Sequence, residues 1–446
     1  MKPVTIILAL VLGFSLGQTT RADACSRETI TDDAFEDFLR DGYLRDRQGD
    51  YRGAVDVFQR AIVLRPTNRK VRFLLANTLW RDNQWMNARF AWESLLRQGG
   101  EDRMGIEARN WLRDNAREGW IPQVKTLAGG SAGFADGEGR LARFSRPSGM
   151  AVAADGSLLI TDTGNHRIRL VKPDGKVITA AGSGVPGYSD GPALQARLEA
   201  PTGGALDPAG NYYFIDGTRI RFLTPDGRVG TLAGDGVAGF IDGGPQVARF
   251  ARPVAVAADW RGRVVVIDNG TAIRMVSPQG NVTTVAGGLE PGLSDGEGSA
   301  AKLRYVTRMR MLDKDHVLLV DTGNNRMREL NIPSGMVKTH PGCGVGGYID
   351  GPLEAAHWKE LNGVIVDPLG NLIVADSGNR AIRRITLGQN VQTLAGGHRG
   401  GEAKDGSGMW ARFGDPVELG MYGKTLFILD RGAHGIRTMD LGGLYL

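Results

Sequence analysis

From residue 124 onward, apolar and polar positions alternate in short runs that glycine-rich turns separate. The first complete unit reads GMAVAAD, SLLITD, RIRLVK and KVITAAG, with Asp155-Gly156, TGNH and Asp174-Gly175 between the runs. Alternation with a period of two places every second side chain on the same face of a strand. Asp-Gly pairs are strong turn signals between such strands. The pattern therefore predicts an antiparallel sheet of four strands.

The same unit occurs six times along the chain. Its glycine-rich segment begins with VKTLAGG at 124 and is repeated from residues 177, 229, 282, 337 and 391, at intervals of 52 to 55 residues. Such a period, with four short strands per unit, is typical of a propeller whose blades are sheets. The strand at 124–129 precedes the first complete unit, and the last unit ends after its third strand, GIRTMD. We predict a mainly β, six-bladed β-propeller with four-stranded blades, in which the N-terminal strand closes the last blade.

A helical region precedes the propeller. Between residues 35 and 115 apolar residues recur every three or four positions, which predicts helices. Gly42, Ala54, Ala61 and Pro66 stand at the offsets of a tetratricopeptide repeat, and a similar set follows 34 residues later. The region 35–102 thus resembles two such repeats. The helices either form a short groove for a peptide or pack against the propeller as a spacer, and the sequence leaves both interpretations open.

The N-terminus predicts export. Lys2, an apolar run over residues 4–16 and the spacing of Ala22 and Ala24 are typical of a signal peptide. No later segment approaches the roughly 20 apolar residues that span a membrane, so we predict no transmembrane segment and favour a periplasmic protein. We divide the chain into a signal peptide at 1–24, an N-terminal segment at 25–34, a tetratricopeptide-like helical domain at 35–118 and the propeller at 119–446.

The chain has only two cysteines, Cys25 and Cys343, so no disulfide framework supports the fold. Cys25 would be the first mature residue, but Ala22 and Asp23 are a poor match to a lipobox, and we favour simple export over lipid anchoring. A disulfide between the two cysteines stays an alternative. The net charge of +5 comes from interspersed charges without a dense basic run, and we therefore expect no nucleic-acid partner.

Several polar residues recur in every unit. An arginine lies in each third strand, and an aspartate ends each second strand: Asp162, Asp216, Asp268, Asp321, Asp376 and Asp430. Another aspartate precedes a glycine in each unit, as at Asp136, and seven positions later a basic residue such as Arg143 precedes an apolar residue such as Phe144. A catalytic site needs residues that converge on one point, whereas these groups lie at six. We interpret them as a structural frame, in which the Asp-Gly turns and their basic partners fix the inter-blade loops and the apolar residues pack between blades.

Function is better sought where one blade departs from the others. The innermost strands begin with small residues in most units, but Arg308, Arg310 and Glu418 stand at the corresponding positions of the fourth and sixth units. They predict either a polar pocket at the channel mouth for a carboxylate, phosphate or sugar acid, or an internal salt bridge that fills the channel. Both interpretations stay open. The turns between second and third strands lie on the same face as this mouth, and we expect that face to bind a ligand.

Two histidines occupy one turn position in neighbouring blades. His166 belongs to the first unit and His434 to the sixth, which ring closure brings side by side. With a carboxylate such as Asp162 or Asp430 they could ligate a divalent metal ion. The corresponding positions of the fourth and fifth units lack a histidine, so the alternative is that both histidines are simple turn residues.

The text PSGMAVAADGSLLITDTGNHRIR resembles the NHL-repeat family of six-bladed propellers, and the resemblance covers about 124–443. More distantly the chain is similar to gluconolactonase-type and amidating-lyase propellers. We favour an exported binding and scaffold protein that holds a protein, peptide or glycan on the loop-rich face or in the helical groove. The alternative is a metal-dependent hydrolase or lyase with its site in the channel. The gluconolactonase resemblance implies Glu, Asn and Asp ligands, for which Glu418, Asn362 and Asp376 are candidates. The fold alone does not separate the two functions.

Overall fold

The structure, a computed structural model, describes residues 32–114, 121–342, 344–397 and 401–445. The predicted signal peptide and both cysteines lie outside these ranges, so export, lipid anchoring and a disulfide stay predictions. Within the described ranges no helix is both long and apolar enough to cross a membrane.

Helices come first along the described chain. They are α1 (Asp32–Arg47), α2 (Tyr51–Leu64), α3 (Arg69–Arg81), α4 (Trp85–Arg97) and α5 (Arg103–Asp114). Asp50 and Asn68 cap α2 and α3, because each side chain accepts a hydrogen bond from a backbone N–H of the first turn. Helices α1 and α2 pack closely through Gly42, where a Cβ atom would lie 2.5 Å from the Phe58 ring. The helices are observed; their assignment as tetratricopeptide repeats stays a prediction.

The six predicted sheets follow and form the blades of a propeller. From the channel outward, blade 1 has the strands Gly149–Val152, Leu158–Asp162, Arg167–Val171 and Lys176–Ala181. Blade 2 has Pro201–Leu206, Tyr212–Asp216, Arg219–Leu223 and Arg228–Ala233. Blade 3 has Pro253–Ala258, Val264–Asp268, Ala272–Val276 and Val282–Gly287.

The remaining blades keep the same order of strands. Blade 4 has Val306–Met311, His316–Asp321, Arg326–Asn331 and Met336–Thr339. Blade 5 has Leu361–Val366, Leu372–Asp376, Ala381–Ile385 and Asn390–Gly396. Blade 6 has Pro416–Tyr422, Thr425–Asp430, Gly435–Asp440 and, outermost, the N-terminal strand Gln123–Gly129. The predicted closure of the ring is thereby confirmed, since Gln123–Gly129 pairs antiparallel with Gly435–Asp440.

A fifth, two-residue strand extends most blades beyond the predicted four. These strands are Gly137–Glu138, Gly191–Pro192, Gly296–Glu297, Gly351–Pro352 and Gly406–Ser407, and each pairs with the outermost main strand. In blade 3 a single bridge from Gly243 to Val282 takes this place. Sequence reasoning placed these residues in loops, because two residues are too few to show alternation.

Apolar residues from the inter-blade segments fill the space between blades. Phe144, Leu198, Phe250, Leu303, Trp358 and Phe413 are all at most 1% exposed. Each packs among second- and third-strand residues, as Phe144 does with Ile160 and Ile436. The hydrophobic core is therefore a series of clusters around the ring.

The helices pack against the outer edge of blade 5. Phe90 of α4 belongs to the same apolar cluster as Leu394 of the outermost strand. Arg97 Nη1 lies 3.1 Å from Asp350 Oδ2, and Gln392 donates a hydrogen bond to Asn87 at 2.9 Å. The described contacts therefore show that this face of the helices packs against the propeller, which was one of the two interpretations of the helical region.

Candidate binding face of the propeller

Each blade carries a buried arginine held between two aspartates. In blade 1, Arg169 Nη1 lies 2.8 Å from Asp162 Oδ2, and Nη2 lies 2.6 Å from Asp136 Oδ1. The same guanidinium donates to the main-chain oxygens of Arg143 at 2.9 Å and Ala135 at 2.7 Å. The arginine thereby ties its own blade to the inter-blade segment that precedes it.

This cluster recurs in all blades. The inner aspartate, the arginine and the outer aspartate are Asp216, Arg221 and Asp190; Asp268, Arg274 and Asp242; Asp321, Arg328 and Asp295; Asp376, Arg383 and Asp350; and Asp430, Arg437 and Asp405. The inner aspartates are buried, whereas the outer ones are 34–50% exposed in every blade except the fifth.

The pairing corrects one detail of the sequence interpretation. Asp136 was expected to pair with a basic residue seven positions later, Arg143, but the structure pairs it with Arg169. The residue at position 143 contributes its main-chain oxygen instead of its side chain. A main-chain acceptor is available from any residue, and this explains why Lys302 and His357 occupy the same position in blades 4 and 5.

In four blades the arginine is covered by an aromatic ring two residues before the outer aspartate, and in blade 6 Arg437 lies 5.6 Å from the centroid of the Phe413 ring instead. The guanidinium carbons of Arg169 and Arg221 lie 4.9 Å from the ring centroids of Phe134 and Tyr188. The remaining pairs are Arg274 with Phe240 at 4.5 Å and Arg383 with Tyr348 at 5.4 Å. These rings lie two residues before the outer aspartates, where their faces attract the cation.

Blade 5 differs because a helix covers its cluster. Arg97 of α4 adds a second cation to Asp350, whose side chain is only 8% exposed. Burial is the largest influence on the pKa of Asp350 and raises it, but Arg383 and Arg97 together outweigh it and lower the pKa overall. Asp376 pairs with Arg383 but not with Arg97, and burial raises its pKa above the ordinary range. The helices are therefore joined electrostatically to the frame of the propeller.

The inner aspartates also position the rim of the channel. Their carboxylates accept hydrogen bonds from backbone N–H groups just before the innermost strands, as Asp162 does from Ser145 at 2.8 Å and Asp376 from Lys359 at 2.9 Å. We call these segments the mouth rim, defined as residues 145–146, 199–200, 251–252, 304–305, 359–360 and 414–415. The rim residues are thus fixed by buried contacts, while their side chains stay available.

The mouth rim carries unpaired charges. Arg146, Arg252, Arg304 and Lys359 are exposed, and their side chains have no hydrogen bond or ion pair with any described residue. Against these four cations stand three rim carboxylates: Glu199, Glu360 and Asp415. Arg431 neutralises Asp415 at 2.7 Å, so the unpaired cations outnumber the unpaired carboxylates on this rim.

A cleft runs outward from the rim between blades 4 and 5. Its volume is about 840 Å³, and Lys359, Glu360, Arg380, Asn325 and Tyr348 contribute to its walls. The cations of Lys359 and Arg380 have no partner among the described residues. The cleft therefore combines space for an extended segment with two unpaired cations and one unpaired carboxylate, that of Glu360, which leaves a net positive charge.

The predicted channel residues lie together. Arg308 Nε is 2.8 Å from Glu418 Oε2, and the two side chains are 12% and 18% exposed. Arg308 also reaches across the channel to the main-chain oxygen of Ser148 at 3.1 Å. Burial raises the pKa of Glu418, although Arg308 and Arg310 oppose this shift. Arg308 and Glu418 therefore form a bridge over the channel mouth.

Arg310 lies two residues further along the same strand and takes no part in this ion pair. Its guanidinium has no hydrogen-bond partner among the described residues and lines a channel cavity of about 290 Å³. Arg310 is exposed to solvent, whereas Arg308 is partly buried. Asn362 is not part of this lining; its amide donates to Ser377 Oγ at 2.9 Å.

The two histidines are engaged with backbone groups of the following blade. Nδ1 of His434 accepts a hydrogen bond from the backbone N–H of Arg146 at 3.2 Å, and Nδ1 of His166 contacts the main-chain oxygen of Glu199. Both residues adopt the left-handed conformation that ends the turn, with φ of 54° at His166 and 50° at His434. Among the described residues no three His, Cys, Asp or Glu groups lie together as a metal site.

Sequence reasoning missed the mouth rim and the cleft. The signal that could have found the rim is its fixed place directly after the buried apolar residue of each unit, where Arg146, Arg252, Arg304 and Lys359 recur at the first or second position. The cleft has no such signal, because its walls come from two blades whose separation is decided by packing.

Comparison with known proteins finds that the propeller is similar to NHL-repeat proteins. The NHL repeat model matches residues 144–169. Protein SUPPRESSOR OF QUENCHING 1, chloroplastic, of Arabidopsis thaliana is 27% identical over 285 residues, which cover 59% of this chain and 27% of that protein. NHL repeat-containing protein 2 of Homo sapiens is 25% identical over 331 residues, covering 64% of this chain and 45% of that protein. The chain thus spans less than half the length of these curated relatives.

Solved structures share the fold. An auxiliary nutrient binding protein from Bacteroides ovatus superposes with a TM-score of 0.54 at 13% identity, over 72% of this chain and 76% of that one. At this identity the likeness concerns the architecture alone.

Proposed function

We propose that this NHL-repeat six-bladed propeller protein with N-terminal helices is a binding and scaffold protein that holds an acidic protein or peptide segment on its mouth rim and in the cleft between blades 4 and 5. The observation that carries the proposal is the set of unpaired cations at Arg304, Lys359 and Arg380 beside a cleft of about 840 Å³. Free cations on a rigid frame bind carboxylates without first breaking an internal pair.

The frame supports this role physically. Buried aspartates hold the backbone of the rim, so a partner that binds there loses little affinity to ordering of the receptor. The cations also attract a negatively charged segment from a distance and accelerate its association at low salt. A glycan, the other partner class left open by the sequence, would present fewer charges unless it carried sugar acids.

The scaffold part of the proposal rests on the helices. Arg97 and Phe90 fix α4 to blade 5, beside the wall of the cleft that Tyr348 forms. The face of the helices that packs on the propeller is occupied, and we place the partner on the rim and cleft. Export to the periplasm remains part of the proposal on the strength of the predicted signal peptide.

No observation favours the alternative of a metal-dependent hydrolase or lyase. The candidate ligands Glu418, Asn362 and Asp376 contact Arg308, Ser377 and Arg383 respectively, and the described residues bring no third ligand to any of them.

The test is binding of a fluorescein-labelled oligo-glutamate peptide, followed by fluorescence anisotropy at low and high salt. The variant Arg304→Ser/Lys359→Ser/Arg380→Ser removes three cations from the proposed surface. We expect the wild type to bind with an affinity that falls as salt is added. The variant should bind about threefold to 150-fold more weakly, since three exposed charged contacts of about 0.2–1 kcal/mol each are removed.

A matched control removes the same charge elsewhere. Lys172, Lys176 and Arg228 are exposed at the turns on the opposite face of the propeller, and the variant Lys172→Ser/Lys176→Ser/Arg228→Ser should bind like the wild type. Equal weakening in both variants would show non-specific attraction by net charge and would overturn the proposed surface. Failure of the wild type to bind the peptide at low salt would overturn the acidic partner.

A further inference from the structure

The channel holds a cation that the frame and the mouth rim do not use. Arg310 projects from the innermost strand of blade 4, and its guanidinium has no hydrogen-bond partner among the described residues. Arg310 is exposed to solvent inside the channel, so its charge is available to a ligand without the breaking of an internal ion pair. Nothing in the packing of the blades calls for arginine at this position, because blades 1, 2 and 3 place Ala151, Ala205 and Ala257 there.

The bridge above Arg310 determines the net charge of the channel. Arg308 and Glu418 neutralise each other at 2.8 Å, and the channel lining contains no other acidic residue besides Glu418 among the described residues. Arg310 therefore leaves one net positive charge in the cavity. That charge calls for a ligand with a single negative charge.

Apolar side chains contribute to the remaining walls. Alanine residues of blades 1 to 3 and the side chains of Met150, Met311 and Met421 line the cavity of about 290 Å³. This volume is at the small end of the usual range for small-molecule sites, about 300–1,000 Å³. The methionine side chains are flexible and adapt to ligands of different shape.

We propose that the channel binds a small organic monocarboxylate, whose carboxylate lies on the guanidinium of Arg310 and whose apolar body packs against the alanine and methionine side chains. Arginine is suited to this contact because its planar fork matches the two carboxylate oxygens. The bridge between Arg308 and Glu418 closes the loop-rich end of the site. This site is distinct from the surface proposed for the acidic partner and does not depend on it.

The test is isothermal titration calorimetry of the whole mature protein with hexanoate, butyrate, inorganic phosphate and hexylamine as probes. We expect hexanoate to bind more tightly than butyrate, because its longer chain buries more apolar surface, and hexylamine not to bind. The variant Arg310→Met should lose at least tenfold in affinity for hexanoate. Arg228→Met, on the opposite face, should bind hexanoate like the wild type.

Stability without ligand gives an independent readout. Arg310 is exposed and unpaired, so Arg310→Met should unfold at about the same temperature as the wild type without ligand, while hexanoate should raise the melting temperature of the wild type alone. If Arg310→Met folds poorly, Arg310→Gln is measured in its place, with the same loss of binding expected.

The outcomes separate the two proposals. Binding of phosphate in preference to hexanoate, or equal binding of hexanoate by the wild type and Arg310→Met, would overturn the carboxylate site, as would a wild type that binds none of the probes. The variant Arg304→Ser/Lys359→Ser/Arg380→Ser should bind hexanoate normally, and Arg310→Met should bind oligo-glutamate normally. A negative result for one of the two sites therefore does not affect the test of the other site.

Discussion

Asp268 and Asp242 bind the same arginine of blade 3, and burial will decide what each contributes to stability. Arg274 Nη1 lies 2.9 Å from Asp268, whose side chain is fully buried. Nη2 lies 2.7 Å from Asp242, whose side chain is 46% exposed. We predict that Asp268→Asn lowers the free energy of unfolding far more than Asp242→Asn, although it removes the longer of the two contacts.

The magnitudes follow from the surroundings of each carboxylate. Asp268 also accepts backbone N–H groups of Ala251 at 3.1 Å and Arg252 at 2.8 Å, so an asparagine amide would face donors in a site without water. Breaking a buried ion pair in this way costs about 3–5 kcal/mol. At Asp242 water screens the pair and can replace the lost acceptor, which limits the cost to about 0.2–1 kcal/mol.

Equilibrium unfolding in urea measures both variants, provided that the slope of the transition is unchanged from the wild type. The same substitutions in blade 1, Asp162→Asn and Asp136→Asn, provide a matched repeat, because those side chains are 0% and 44% exposed. A cost for Asp242→Asn equal to or above that for Asp268→Asn would refute the reasoning, and so would a cost below about 1 kcal/mol for Asp268→Asn.

The contact between helices and propeller gives the other predictions. Arg97→Met should weaken the packing of the helices without unfolding the propeller, because Asp350 keeps its ion pair with Arg383 at 2.8 Å. Limited proteolysis should then cleave faster between the helices and the propeller. An unchanged digestion pattern would contradict this prediction. Arg97 Nη2 also lies 3.4 Å from Glu93 Oε2. The stability difference between the wild type and Arg97→Met should therefore shrink as pH falls. It shrinks first as Glu93, whose pKa burial raises above its ordinary 4.5, takes up a proton, and then as Asp350 does so below its ordinary 3.8. The lowered pKa of Asp350 means that its stabilisation is present above the unfolded pKa and is lost as pH drops through the folded one, so a difference that grows in acid would oppose this assignment.

The candidate site was only partly open to prediction from sequence. Arg308, Arg310 and Glu418 could be singled out because they interrupt a column of small residues. Which arginine pairs with Glu418 could not be predicted, because two side chains on one strand compete for it and the distance across the channel decides. For the two histidines, the sequence correctly predicted that their blades are neighbours. It could not predict that each imidazole contacts the backbone of the following blade.

The sequence by itself determined the number of blades, their strands and the closure by the N-terminal strand. Alternation, turn residues and a period of 52 to 55 residues are local properties, and repeating them six times leaves one closed arrangement. Only the tertiary structure decided that Asp136 pairs with Arg169, that the helices pack on blade 5, and that a cleft lies between blades 4 and 5. These features join residues 33 to more than 250 positions apart, and burial and packing between blades, which no local pattern records, select the partners.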